Sequence, residues 1–165
     1  MKRGSGIAAL LAVLAMSHAP ASARASACTL RHATYRYAYK DALTLTFIPV
    51  KRHWGRVSDL VLQIAGVHGR DVRWYFPDEG SSPTIFLIST IDPRTPGWNP
   101  NPDGGDRPHG DTSILLLDSE GRSPGTAPQL DSPATRYIVI PDMAAAYKEP
   151  GMDIGPAAFV LTSCR

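Results

Sequence analysis

Leu43-Thr44-Leu45-Thr46-Phe47-Ile48-Pro49 is the stretch that decides the fold. Leu43, Leu45 and Phe47 alternate with Thr44 and Thr46. A period of two puts the apolar set on one face of a strand, because successive side chains point to opposite sides of the pleat. Pro49 ends the strand or marks an edge, since proline brings no N–H to a ladder.

The same signature recurs on both sides of this stretch. Residues 30–40 alternate weakly, with Tyr35, Tyr37 and Tyr39 on one face and Thr34, Arg36 and Ala38 on the other. Residues 57–65 form an apolar run closed by Gly66 and Gly69. Val72, Trp74 and Phe76 share a face opposed by Arg73 and Tyr75. Residues 84–91 are apolar on both faces, as a central strand requires, and residues 114–117 are similar. Residues 137–140 and 158–162 complete the set. About eight strands between Gly/Pro turns predict one mainly β domain, an antiparallel sandwich or barrel. One short helix has good signals: Asp142 caps Met143-Ala144-Ala145-Ala146-Tyr147-Lys148, and Pro150-Gly151 stops it. It is too short to carry a fold and is expected to plug one end of the sheets.

The front of the chain reads as a cleaved secretory leader over residues 1–25. Met1-Lys2-Arg3 is basic, Ile7 to Met16 is apolar, and Ala23-Arg24-Ala25 is a small-residue end. The apolar run is about half of the roughly twenty residues a membrane-spanning helix needs. No later segment approaches a span, so the single domain of residues 26–165 is expected to be soluble and periplasmic or secreted. The whole chain carries 17 Lys and Arg against 15 Asp and Glu; removing Lys2, Arg3 and Arg24 turns a net charge of +2 into −1. Nucleic-acid binding thereby loses its electrostatic support.

Cys28 opens the expected mature chain and Cys164 is penultimate. Two cysteines in an exported domain most simply pair, which requires the two termini to lie on neighbouring strands. A lipid anchor on Cys28 is not expected, because Ala25 stands where a lipidation signal places Leu. Neither cysteine sits in a Cys-x-x-Cys redox motif.

Three groups are candidates for chemistry. Residues 92–112 form a long loop crowded with Pro, Gly and Asp, a length that in compact domains marks function or disorder. Asp103, Asp106 and Asp111 in this loop are the candidate ligands for Ca²⁺, although their spacing is not that of an EF-hand. Trp98 in the same loop is costly to leave in water, so it needs a core pocket, a ligand or a partner. Lys51-Arg52-His53-Trp54-Gly55-Arg56 sets Arg52 and Arg56 around the indole of Trp54, a pattern that could bind a carboxylate, phosphate or sugar acid, although a solvated hairpin turn between two strands is the simpler reading. The tyrosine row suits either glycan binding or cross-strand packing.

Catalytic signatures are scarce. There is no Gly-x-Ser-x-Gly elbow, no His-Glu-x-x-His helix and no phosphate loop. Asp78 and Glu79 are adjacent and read as part of a turn. The expectation is a non-catalytic binding or envelope-associated module that meets an envelope or extracellular ligand or protein through the 92–112 loop, with Trp98 and His109 in contact. No cofactor is expected unless the loop holds Ca²⁺ as a stabilising ion. The alternative is a hydrolase of envelope or extracellular polymers, its site assembled around His109 and the loop aspartates.

Overall fold

A computed structural model describes residues 28–39, 43–51, 57–66, 69, 71–78, 83–99, 107–143 and 158–165. A 3-10 turn, Leu30–His32, leads into eight strands: β1 Ala33–Tyr37, β2 Leu43–Pro49, β3 Leu60–Gly66, β4 Arg73–Asp78, β5 Ile85–Thr90, β6 Thr112–Leu117, β7 Tyr137–Val139 and β8 Ala158–Cys164. Each strand pairs antiparallel with the next, and β8 pairs back with β1, closing the sheet into a barrel. Closure gives each of the eight described strands a neighbour on both sides, so none of them is an edge strand. At the closing seam Ala33 stands opposite Cys164 and Tyr37 opposite Phe159, with a bulge between Thr34 and Tyr35.

The alternation read from β2 recurs around the barrel. Leu43, Leu45 and Phe47 are buried and join Tyr35, Leu62, Tyr75, Leu87, Leu116, Ile138 and Phe159 in one interior cluster. Tyr37 and Phe159 meet with ring centroids 5.1 Å apart, and Tyr35 meets Phe47 edge-on at 6.4 Å. Burying one such large side chain contributes about 1.5–3 kcal/mol. Thr34, Arg36, Thr44, Thr46 and Gln63 take the alternate positions and are half-buried or exposed. This apolar interior is the reverse of the polar lumen of a membrane barrel. No helix among the described residues is long and apolar enough to cross a membrane.

One strand seats the opposite way to its hydrophobicity. In β4, Arg73 and Tyr75 face inward while Trp74 and Phe76 face out. The ladder decides this: Ile64 pairs with Arg73 and Leu62 with Tyr75, and both partners belong to the interior set. Trp74 and Phe76 join Val61 and Ile88 in a second apolar cluster on the outer wall. That layer covers Ile88 on the outer face of β5, whereas Phe86 on the same face stays 52% exposed.

A disulfide joins Cys28 to Cys164 across 136 positions, with Cα atoms 5.8 Å apart. It sits where the long β6–β7 connection caps the barrel. Ala134 N donates to Cys28 O at 2.8 Å and Leu30 N to Ser132 O at 3.0 Å. Ser58, completely buried, donates to Pro128 O at 2.6 Å and accepts from Leu60 N at 3.1 Å. Gln129 Nε2 donates to Val57 O, and Leu130 N donates to Asp59 Oδ1 at 2.7 Å. Tyr35 reaches up from the core to donate its hydroxyl to Thr135 O at 3.2 Å.

Some elements differ from expectation at their ends. Residues 30–32 wind into the 3-10 turn, so the first strand starts at Ala33, and Tyr39 lies past its end, 54% exposed. Asp78, expected in a turn, instead extends β4 together with Pro77, and the two pair with Phe86 and Leu87 of β5; Glu79 lies outside the described residues. The β3 ladder stops at Tyr75, on the side where proline has no N–H to offer. Of the expected helix only Met143, buried against the core, lies among the described residues.

Candidate functional site

The loop that leaves β5 splits into two limbs with different tasks. The first limb, residues 92–98, is held by local bonds. Asp92 accepts from Arg94 N at 2.9 Å and from Arg94 Nη2 at 2.6 Å. This pairing holds the Asp92 carboxyl below the usual carboxylate range. Arg94 then lies over the Trp74 ring, 5.3 Å from its centroid. Pro96-Gly97 turns the chain back: Trp98 N donates to Thr95 O at 3.0 Å, and Gly97 has φ +77°, as a type II turn requires at its third position. The turn lays Trp98 against the outer-wall cluster, with its ring 6.3 Å from that of Phe76. Its indole N–H donates to Thr90 Oγ1 at 2.9 Å.

Trp98 is only half-buried by this packing. Its remaining surface lines a groove of about 310 Å³ between the limb and the end of β2, with Ile48, Val50, Lys51, Arg94 and Thr95 around it. Two sequence candidates thus meet here: the Trp98 loop forms one wall, and the cationic run that begins at Lys51 starts at the other. Arg52, Trp54 and Arg56 lie outside the described residues.

The second limb, residues 107–111, returns to the mouth of the barrel. Arg107 Nη1 contacts both carboxylate oxygens of Asp111, at 2.9 and 2.8 Å. Asp111 Oδ1 also accepts from Ser89 N at 2.9 Å, and Ser89 Oγ accepts from His109 N at 3.0 Å. Ser89, His109 and Asp111 are therefore neighbours, but the bonds that link them run through main-chain N–H groups. A hydrolytic triad needs the imidazole bonded to the hydroxyl on one side and the carboxylate on the other. The contacts here clamp the loop onto β5. Partial burial, and then the charge of nearby Arg73, push the His109 pKa down, which favours neutral imidazole. Buried Arg73 in turn hydrogen-bonds Tyr75, whose hydroxyl burial pushes up.

Asp103 and Asp106, two of the three expected calcium ligands, lie outside the described residues, and Asp111 is engaged by Arg107 and Ser89. The tyrosine row divides: Tyr35 and Tyr37 are interior packing, and Tyr39 is exposed. A pocket at the capped end of the barrel, lined by Leu30, Leu116 and the β6–β7 connection, had no counterpart in the sequence reading. Its one legible signal was the proline content of residues 119–133.

Fold and site together define a closed, disulfide-linked antiparallel barrel with a braced aromatic limb beside a groove on its outer wall. Comparison with known protein families, curated proteins and solved structures finds no match.

Proposed function

We propose that this chain is an exported, non-catalytic binding module that receives an acidic segment of an envelope or extracellular partner in the groove beside Trp98. The observation that carries this reading is the construction of the 92–98 limb. An ion pair, a cation–ring contact, a type II turn and an indole hydrogen bond all hold one half-exposed aromatic beside an open groove. Loops on rigid sheet scaffolds are the usual carriers of recognition, and Trp is enriched among the residues that anchor interfaces. Arg94 is already matched by Asp92, so exposed Lys51 sets the sign of the groove, and Arg52 and Arg56 follow it in sequence. A cation at the rim of a groove favours an acidic partner and disfavours a basic one. The leader pattern and the disulfide support export to an oxidising compartment, the periplasm or beyond.

A synthetic Glu-rich peptide is the probe that tests this. Titration is followed at the Trp98 indole N–H resonance by NMR. A saturable shift is expected, with binding at least tenfold weaker in Lys51→Glu and falling as salt rises. An unmoved Trp98 resonance, or equal affinity for the charge-reversed variant, refutes the proposal.

A further inference from the structure

We infer that the disulfide-closed end of the barrel holds a second binding site, for a small uncharged aliphatic molecule. This inference is independent of the Trp98 groove, with which the site shares no described residue. The cavity measures about 490 Å³, within the range of small-molecule pockets. Leu30 and Leu116 form its floor and belong to the interior cluster, 0% and 1% exposed. Pro124, Pro128, Pro133 and Ala134 supply apolar wall.

The walls are braced from several sides, so they resist collapse onto the floor. Pro128 is held by the buried Ser58 hydroxyl, and Ala134 by Cys28 O. Thr29 bridges Pro133, and Cys28 beside it is bonded to the end of β8. Proline adds stiffness, because its ring fixes φ. A rigid apolar hollow keeps surface that a ligand gains by covering.

The polar groups around the cavity select against charge. Asp118 Oδ1 accepts from the N–H groups of Glu120 and Arg122, and its Oδ2 accepts from Arg122 Nε at 2.9 Å. Arg122 Nη2 pairs with Glu120 at 2.9 Å. These three charges satisfy one another and sum to −1, which disfavours a carboxylate; the Asp118 oxygens are already engaged, which disfavours an ammonium. Three of the lining hydroxyls have partners within the fold: Ser123 Oγ donates to Pro83 O and accepts from Gly125 N, Ser132 Oγ accepts from Gln129 N, and Thr135 Oγ1 donates to Tyr137 O. Among the described residues, no aromatic ring lines the cavity to stack on a sugar or a base. Shape and aliphatic contact are left to recognise the ligand.

Titration of the full chain with 1-octanol, read at the Leu30 and Leu116 methyl resonances, is the test. Saturable shifts at both are expected, with octanoate and octylammonium binding at least tenfold more weakly. Thr126 is an exposed lining residue, so Thr126→Trp obstructs the mouth without entering the core. That variant is expected to weaken octanol binding at least tenfold, while Lys51→Glu leaves it unchanged. Absence of saturable methyl shifts in the unsubstituted chain overturns the site. Equal binding of the charged homologues overturns its chemistry, and undiminished binding by a folded Thr126→Trp overturns its location.

Discussion

Replacing both cysteines, Cys28→Ser with Cys164→Ser, tests how the barrel is held shut. The bridge spans 136 positions, nearly the whole described chain. Closing so long a loop removes unfolded-state entropy worth about 5 kcal/mol at 25 °C, before native strain and residual structure reduce it. That is a third or more of the stability of an ordinary domain. In a chain of this length it corresponds to a fall in Tm of roughly 15 °C. The folded barrel itself should change little. The β1–β8 ladder runs from Ala33–Cys164 to Tyr37–Phe159 without help from sulfur, and Arg165 N donates to His32 O at 2.9 Å. The loss is therefore expected in the unfolded state. Urea unfolding followed by circular dichroism reads both parts. The double variant should match the oxidised protein's native spectrum, unfold at a lower midpoint, and give a larger m-value because its unfolded chain exposes more surface. Equal midpoints, or a smaller m-value for the variant, would refute the reasoning.

Two further outcomes follow from the interior. Ser58→Ala removes the hydroxyl that serves both Pro128 O and Leu60 N inside the cap; an unfolding free energy lower by about 2 kcal/mol is expected, and a change under about 0.5 kcal/mol contradicts the bonding described. Tyr35 has its pKa pushed up to about 12 by burial, against the ordinary value of 10.0. The unfolded chain loses this proton near pH 10 and the folded one near pH 12. Stability is thus constant below pH 10 and falls by up to roughly 3 kcal/mol as pH rises to 12. Tyr75 is shifted in the same direction and adds to the fall. Urea midpoints between pH 9 and 12 measure it, and Tyr35→Phe should flatten the slope; an unaltered slope in that variant contradicts the assignment.

Much of the fold was legible because half-buried strands carry a period of two that survives any arrangement of the sheet. Leu43, Leu45 and Phe47 needed no neighbours to be identified as an inward row. Arg73 and Tyr75 did. By hydrophobicity Val72, Trp74 and Phe76 form the apolar face of β4, yet Trp74 and Phe76 turn outward. A register is a property of pairs, and Leu62 and Ile64 on the adjacent strand outvote the composition of β4 alone. The site was legible to a similar degree. Trp98 stood out as an aromatic that had to find cover, and its neighbour Pro96-Gly97 announced a turn. That the turn would fold it onto Phe76 and leave a groove facing Lys51 depended on an outer-wall cluster assembled from four strands and the segments flanking them. The capped-end pocket was hidden for the same reason: Leu30 and Leu116 are distant in sequence and meet only when the barrel closes.

By itself, then, the sequence determined what most of the short segments are, strand or turn, apolar face or polar, and that two cysteines were available to pair. These are local properties, set by backbone sterics and the alternation of side chains. Tertiary structure decided closure into a barrel in place of a sandwich, the inward face of β4, and the destination of Trp98. Each of these depends on which strands become neighbours, a long-range pairing whose free energy no single segment contains.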